Sequence, residues 1–125
     1  MLTQSIHHQN SIIATAMQGK VARQDAIMNN IANNDTPGFT AQTVDFEAAL
    51  GRAVDNWRAT GRLNLDEARP VIRFQEAFNS FRIDGNNVDI EREMVALYMN
   101  SVKYDVLANS FMHNSRMLNS VLQGR

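Results

Sequence analysis

The stretch that decides the fold is IEREMVALYMNSVKYDVLANSFMHNSRMLNSVL, residues 90–122. Apolar or small residues recur in it at gaps that alternate between four and three without a break, and eight of the ten are apolar. Such a pattern, sustained over more than four heptads, is typical of a long helix that packs against other helices. The positions of this heptad stripe are Ile90, Met94, Leu97, Ser101, Tyr104, Ala108, Phe111, Ser115, Leu118 and Leu122.

Local signals mark both ends of this helix and predict that it covers residues 88–123. Asp89 is suited to cap the N-terminus, because its side chain can accept a bond from a free backbone N–H. Glu91 and Glu93 add negative charge in the first turn, where the helix dipole favours it. Gly124 suits the C-terminal end, because glycine readily adopts the left-handed conformation that closes a helix.

A second apolar line runs along the same helix beside the stripe. Its members are Val95, Tyr98, Val102 and Met112. One partner helix needs only one stripe, so two lines predict contacts on two sides, as in an assembly of several helices. We therefore expect the heptad stripe to pack on the other terminal helix and to join neighbouring subunits in a polymer.

The first part of the chain predicts a second long helix, over residues 3–33. It contains no Pro and a single Gly, Gly19, and its apolar residues recur at helical spacing. These are Ile6, Ile13, Met17, Val21, Met28 and Ile31. The pattern indicates an amphipathic helix, which we expect to form an antiparallel or staggered pair with the C-terminal helix. Ile13, Met17 and Ile31 are its predicted packing residues.

The N-terminal helix must stop at the sequence NNDTPGF, residues 33–39. Pro37 disfavours a helical conformation at Thr36. Pro at the second position and Gly38 at the third, where φ is positive, are typical of a type II turn ending at Phe39. The chain is therefore expected to change direction abruptly here.

The middle segment, residues 34–87, carries weaker signals. The spacing within 46–57 predicts a short helix, whereas 70–83 fits either short strands or a helical turn. The cluster at 84–87 predicts another turn. With 125 residues in all, the chain is expected to be one mainly α domain: two long terminal helices joined by a loop-rich middle segment.

Composition excludes several classes of function. The net charge of −1, with both signs mixed along the chain, argues against a nucleic-acid binder. The absence of Cys excludes disulfides and thiolate sites. No apolar run is long enough for a membrane helix, and the N-terminus does not resemble a cleaved secretory signal.

No residue pattern predicts catalysis or a cofactor. His7 and His8 are adjacent, so on a helix they point in different directions and are poorly placed to share a metal ion. Acidic pairs such as Glu91 and Glu93 are explained by the first turn of a helix. We therefore expect no enzymatic activity, no metal and no cofactor.

Three segments resemble the rod and hook group of bacterial flagellar axial proteins. Residues 30–39, NIANNDTPGF, are similar to the motif that ends the N-terminal helix in that family, and 44–50, VDFEAAL, resembles its continuation in members of the proximal rod. Residues 84–94, DGNNVDIEREM, resemble the entry into the family's C-terminal helix. The motif positions carried over are Asn30, Asn33, Thr36, Pro37, Gly38 and Phe39.

The resemblance implies a structural role in the flagellar basal body. Family members form a periplasmic helical tube around an export channel, transmit torque, and leave the cell through the flagellar type III apparatus without a cleaved signal. Implied partners are other rod subunits, membrane-ring and basal-body adaptor proteins and the export apparatus, and the isolated chain is expected to be partly disordered or oligomeric. The alternative is a soluble helical adaptor or export-chaperone-like module that binds a cytosolic partner.

Overall fold

The structure, a computed structural model, describes residues 1–75 and 82–124. The elements in chain order are helix α1 (Leu2–Ala32), strand β1 (Gln42–Asp45), helix α2 (Glu47–Thr60), a short 3-10 turn (Asp66–Ala68), strand β2 (Val71–Phe74) and helix α3 (Ile90–Leu122). The predicted class is confirmed: two long terminal helices pack together, and a middle segment with one short helix and two strands joins them.

Helices α1 and α3 run antiparallel. Near one end of the pair the Asn10 amide donates to the Ser115 hydroxyl at 3.4 Å, and near the other the Asn30 amide donates to a Glu93 carboxylate oxygen at 3.2 Å. The partner's number on α3 falls as the number on α1 rises, so the two helices point in opposite directions. Of the two predicted arrangements, the structure has the antiparallel one.

The buried face of α1 consists largely of small and polar residues. Its members are Ile6, Ala16, Gly19, Lys20, Ala26, Ile27 and Asn30. Val21 and Met28, which belong to the apolar line seen in the sequence, are instead 48% and 54% exposed. The packing face therefore coincides with only part of that line, because small residues beside it permit close approach by β1, α2 and α3.

Helix ends follow the local signals. Asp89 caps α3, accepting a hydrogen bond from the backbone N–H of Arg92 at 3.2 Å. Gly124, just beyond α3, has a φ of 66°, and Gly61, which ends α2, has a φ of 74°. The short helix predicted at 46–57 is present as α2 and extends three residues further, to Thr60.

The two strands form a small antiparallel sheet. Gln42 lies opposite Phe74, and Asp45 lies opposite Val71. The ambiguous stretch 70–83 therefore contains a strand at its beginning, whereas β1 was not expected from the sequence; residues 76–81 of that stretch lie outside the described part of the chain.

The apolar core is small and sits where β1 meets α1. Ala26, Val44 and Phe46 are buried together, with Ala22 and Leu50 packed at their edge. None of the helices in the described ranges is both long enough and apolar enough to cross a membrane.

Candidate assembly surface and its anchoring motif

The predicted type II turn is present at residues 36–39. The backbone N–H of Phe39 donates to the carbonyl of Thr36 at 3.3 Å, and Gly38 has a φ of 71°. Thr36, Pro37 and Gly38 are exposed, whereas Phe39 is half-buried. Nothing lies within 4 Å of a Cβ built on Gly38, so its positive φ, not a lack of space, explains the glycine.

The turn before α3 packs directly on this turn. The N–H of Gly38 donates to the carbonyl of Asp84 at 2.8 Å, and the N–H of Asn87 donates to the carbonyl of Phe39 at 3.3 Å. A Cβ built on Gly85 would lie 3.6 Å from the Cα of Gly38. The two turns, each at the joint of a terminal helix, therefore form one unit.

Asn86 is the centre of this unit and is fully buried. Its side-chain amide donates to the carbonyls of Asn33, Asn34 and Thr36, at 2.9, 3.1 and 2.7 Å. Its side-chain oxygen accepts from the N–H of Val88 at 2.8 Å. These three carbonyls directly follow α1, so a single buried side chain from the turn before α3 holds the segment in which the first long helix ends.

Asn86 was not among the predicted motif positions. The sequence feature that could have pointed to Asn86 is its position in the turn cluster 84–87, which lies within a segment that resembles the family. Its role was hidden because its acceptors lie about fifty positions earlier in the chain.

Asn30, a predicted motif residue, is also fully buried. Its amide donates to the carbonyl of Gln42 and its oxygen accepts from the N–H of the same residue, both at 2.8 Å. The amide of Asn30 also donates to a carboxylate oxygen of Glu93. Burial raises the pKa of Glu93, and this effect is larger than the lowering caused by the hydrogen bond. A single side chain thus connects α1 with β1 and with the first turn of α3.

A charged cluster fixes the start of α2 on α1. Arg23 binds both carboxylate oxygens of Glu47 and donates to the carbonyl of Val44 at 2.6 Å. The charges of Arg23 and Lys20 lie about 5 Å from the centre of the Phe46 ring. Burial alone would raise the pKa of Glu47, but its hydrogen bonds and these two cations outweigh burial and lower it to about 2.

The heptad stripe on α3 faces α1 along the middle of the helix. Leu97, Ser101, Tyr104, Ala108, Phe111, Ser115 and Leu118 are half-buried there. Ile90, Met94 and Leu122, at the two ends, are 42%, 55% and 68% exposed. On α1, Ile13, Met17 and Ile31 are half-buried. Most of the stripe is therefore used within the chain, and its predicted role between subunits stays a prediction.

The second apolar line faces away from α1. Met112, which the sequence placed on this line, is 47% exposed but lies nearer the stripe. The predicted members Val95, Tyr98 and Val102 are 64%, 69% and 42% exposed, and Val106, which continues this side of the helix, is 59% exposed; at 3.6 residues per turn they lie roughly opposite the stripe. We call these four residues the outer face of α3. Contiguous exposed apolar surface of this kind marks interaction sites in folded proteins.

The histidines are not gathered into a metal site. His8 packs against Trp57, with ring centres 5.5 Å apart in an edge-to-face arrangement. Across residues 1–75 and 82–124, no group of three or more His, Asp or Glu side chains is placed to hold a metal ion.

Comparison with known proteins identifies the family. Residues 12–40, which include the end of α1 and the Thr36–Phe39 turn, match the model of the flagella basal body rod proteins. The chain is 34% identical over 116 residues to the flagellar basal body rod protein FlgB of Borrelia hermsii, covering 81% of this chain and 85% of that protein. It belongs to the FlgB family of flagellar basal body rod proteins.

Other FlgB proteins agree with this assignment. That of Yersinia enterocolitica is 35% identical over 102 residues, covering 71% of this chain and 74% of its own. That of Proteus mirabilis strain HI4320 is 33% identical over 137 residues, covering 98% and 96%. The chain is therefore a structural component of the flagellar basal-body rod.

Proposed function

We propose that this FlgB-family chain is a non-enzymatic subunit of the proximal rod. In this proposal it assembles with other axial subunits into a helical tube that surrounds the export channel and transmits torque. Its further partners are membrane-ring and basal-body adaptor proteins. It reaches the periplasm through the flagellar type III export apparatus without a cleaved signal.

The observation that carries the proposal is the outer face of α3. Four large apolar side chains are exposed along one side of a helix whose other side is already occupied by α1. Burial of one such side chain stabilises a contact by roughly 1.5–3 kcal/mol. A few per interface suffice to hold a subunit in a lattice of many equal contacts.

The joint between the two terminal helices supports a mechanical role. Asn30 and Asn86 are fully buried, and each is hydrogen-bonded to backbone on another segment. Networks of satisfied buried polar groups specify one geometry, because any shift leaves groups without partners. Such a joint resists bending between α1, β1 and α3, as a torque-bearing subunit requires.

The isolated chain is expected to be less ordered than the assembled one. The outer face of α3 has no partner within the described residues, so part of the stability of the long helices must come from neighbours. Hydrogen exchange on the isolated chain should show fast exchange in parts of residues 90–122. Full protection along that segment in a monomer would contradict this expectation.

The proposal is tested with Val102→Asp and Val106→Asp, introduced together into the otherwise native chain. The matched control is Ala48→Asp, an exposed apolar position near the start of α2. We expect the α3 variant to be exported but to be missing from purified basal bodies, and its cells not to swim. Normal assembly and swimming by the α3 variant would show that the outer face is not an assembly surface.

The adaptor alternative makes the opposite prediction. A cytosolic adaptor would remain in the cytosol whether or not the export gate functions, and would be missing from basal bodies. The FlgB relatives favour the rod, and no contact among the described residues favours the adaptor.

A further inference from the structure

The two flanks of α3 beside the outer face carry opposite charges. Lys103 and Asp105 are both exposed and lie two positions apart, which places them about 160° from each other around the helix axis. Lys103 lies on the flank near Lys20, and its positive charge, after burial and Arg23, is among the causes that lower the pKa of Lys20. Asp105 lies on the other flank. The outer face is therefore bordered by a base on one side and an acid on the other.

The acidic flank forms one wall of a groove between α1 and α3. Val21, Asp25, Tyr104 and Asp105 line it, with Met17 at one end. Val21 is 48% exposed, and Asp25 is exposed at the groove's edge. We call these five residues the acidic groove.

The opposite side of the helix pair is covered differently. There α2 packs along α1, with Phe46, Leu50 and Val54 in a depression that also includes Leu107 of α3. The two sides of the pair are thus unlike, one partly filled by α2 and the other left as the acidic groove. Because the two sides differ, one side of a copy can contact the other side of the next copy, which makes the association head-to-tail.

We propose that the acidic groove of one copy receives α3 of a second copy, with the second copy's Lys103 beside Asp25 and Asp105. This inference rests on the proposed function, since it names which surfaces meet when subunits assemble. The apolar outer face of the second copy would cover Val21 and Tyr104. Its basic flank, and not its acidic one, would turn toward the two carboxylates.

Charge complementarity favours a second copy in this orientation. A symmetric contact of groove with groove would bring two pairs of carboxylates together, which is unfavourable. A contact of outer face with groove joins different surfaces, so every added copy presents a free groove or a free outer face. Such heterologous contacts propagate along a ring or a helix instead of closing as a dimer.

The chain has no Cys, so the contact is tested with two single-cysteine versions of the whole protein. Lys103→Cys and Asp25→Cys are expressed together in place of the native chain, and purified basal bodies are treated with a short bismaleimide. We expect a product of twice the chain's mass only when both versions are present. Lys103→Cys combined with Asp66→Cys, an exposed acid outside the helix pair, is the control and should give none.

Each other outcome is informative. A dimer formed by either version alone indicates a symmetric contact and overturns the inference. Absence of the dimer, or cross-links only to other proteins, also overturns it if the chain is present in the basal bodies. Absence of the native chain itself from basal bodies would instead refute the proposed function.

Charge reversal gives a second measurement that does not depend on cysteine. Reversing the acids (Asp25→Lys with Asp105→Lys) or the base (Lys103→Asp) should reduce incorporation into basal bodies about threefold to tenfold. All three changes together should restore it. The control swap is Asp55→Arg with Arg58→Asp, an exposed ion pair on α2, which should have no effect. Failure of the triple variant to recover, with both partial variants impaired, would contradict the proposed pairing.

Discussion

The side-chain amide of Asn86 donates a hydrogen bond to the carbonyl of Thr36 at 2.7 Å, across fifty positions of the chain. Thr36 begins the turn after α1, and Asn86 lies in the turn before α3. Through this contact two of the three segments that resemble the family, 30–39 and 84–94, form one structural unit. The unit fixes the end of α1 against the start of α3, and therefore the direction in which the outer face of α3 points.

Replacement of Asn86 by Ala should destabilise the folded chain by about 2–4 kcal/mol. The change removes three hydrogen bonds to the carbonyls that follow α1 and leaves the buried N–H of Val88 without this acceptor, and a buried group left unsatisfied is costly. Urea unfolding followed by circular dichroism measures the effect. Asn109→Ala, at an exposed position of α3, is the control and should change stability by no more than about 0.5 kcal/mol. Equal effects of the two substitutions would contradict the central role of Asn86.

The two helical glycines should respond oppositely to Ala. A Cβ on Gly19 would lie 2.5 Å from the Phe46 ring, so Gly19→Ala should destabilise by about 1–3 kcal/mol despite its better helix propensity. Gly51, within α2, has nothing within 4 Å of the same atom, so Gly51→Ala should stabilise by about 0.5–1 kcal/mol. Thermal unfolding of both variants measures the difference. A melting temperature raised by Gly19→Ala would show that Phe46 does not pack as described.

Glu47 should contribute stability at neutral pH that is lost in acid. Its pKa is lowered from 4.5 to about 2 in the folded chain, so its contribution is present above about 4.5 and disappears as the pH falls from there toward 2. Glu47→Gln should therefore cost about 1 kcal/mol or less at pH 7, since the side chain is half exposed and solvent screens it. The cost should shrink at pH 3. Urea titrations at both pH values measure it, and a cost that grows in acid would contradict the assignment.

Glu93 should behave in the opposite way. Burial raises its pKa above 4.5, so the stability linked to this group is present below that value and is lost as the pH rises through the raised pKa. Glu93→Gln removes the partly buried charge and keeps an oxygen that can accept from Asn30. We expect it to stabilise the chain at pH 7 by about 1 kcal/mol and to have little effect near pH 3. A loss of stability at pH 7 would show that the negative charge itself is needed there.

Much of the architecture was predictable because its signals are local. The spans of α1 and α3 follow from residue spacing, the Asp89 cap from one side chain, and the turn at Gly38 from a Pro-Gly pair. The same reasoning predicted α2 but missed β1. A four-residue strand has too few positions for a distinct periodicity, and β1 is defined by its pairing with β2 and with Asn30.

The candidate assembly surface was only partly predictable. The residue spacing predicted two uses of the heptad stripe, packing on α1 and joining neighbouring subunits, and could not decide which parts of α3 serve which. That choice depends on α1, whose small residues let α3 approach closely on one side and leave Val95 and Val106 outside. The acidic groove could not be expected either, because Asp25 and Asp105 are brought to one groove only when the helices pair.

The sequence by itself therefore determined the helices, their ends and the sharp turn at residues 36–39, since each depends on neighbours a few positions away. Only the tertiary structure decided the roles of Asn30 and Asn86, the partners of β1 and the face of α3 that stays exposed. The physical reason is that the structural role of a buried polar side chain depends on its hydrogen-bond partners, which can lie anywhere in the chain. For Asn86 those groups are the carbonyls of Asn33, Asn34 and Thr36, which lie 50 or more positions earlier in the chain.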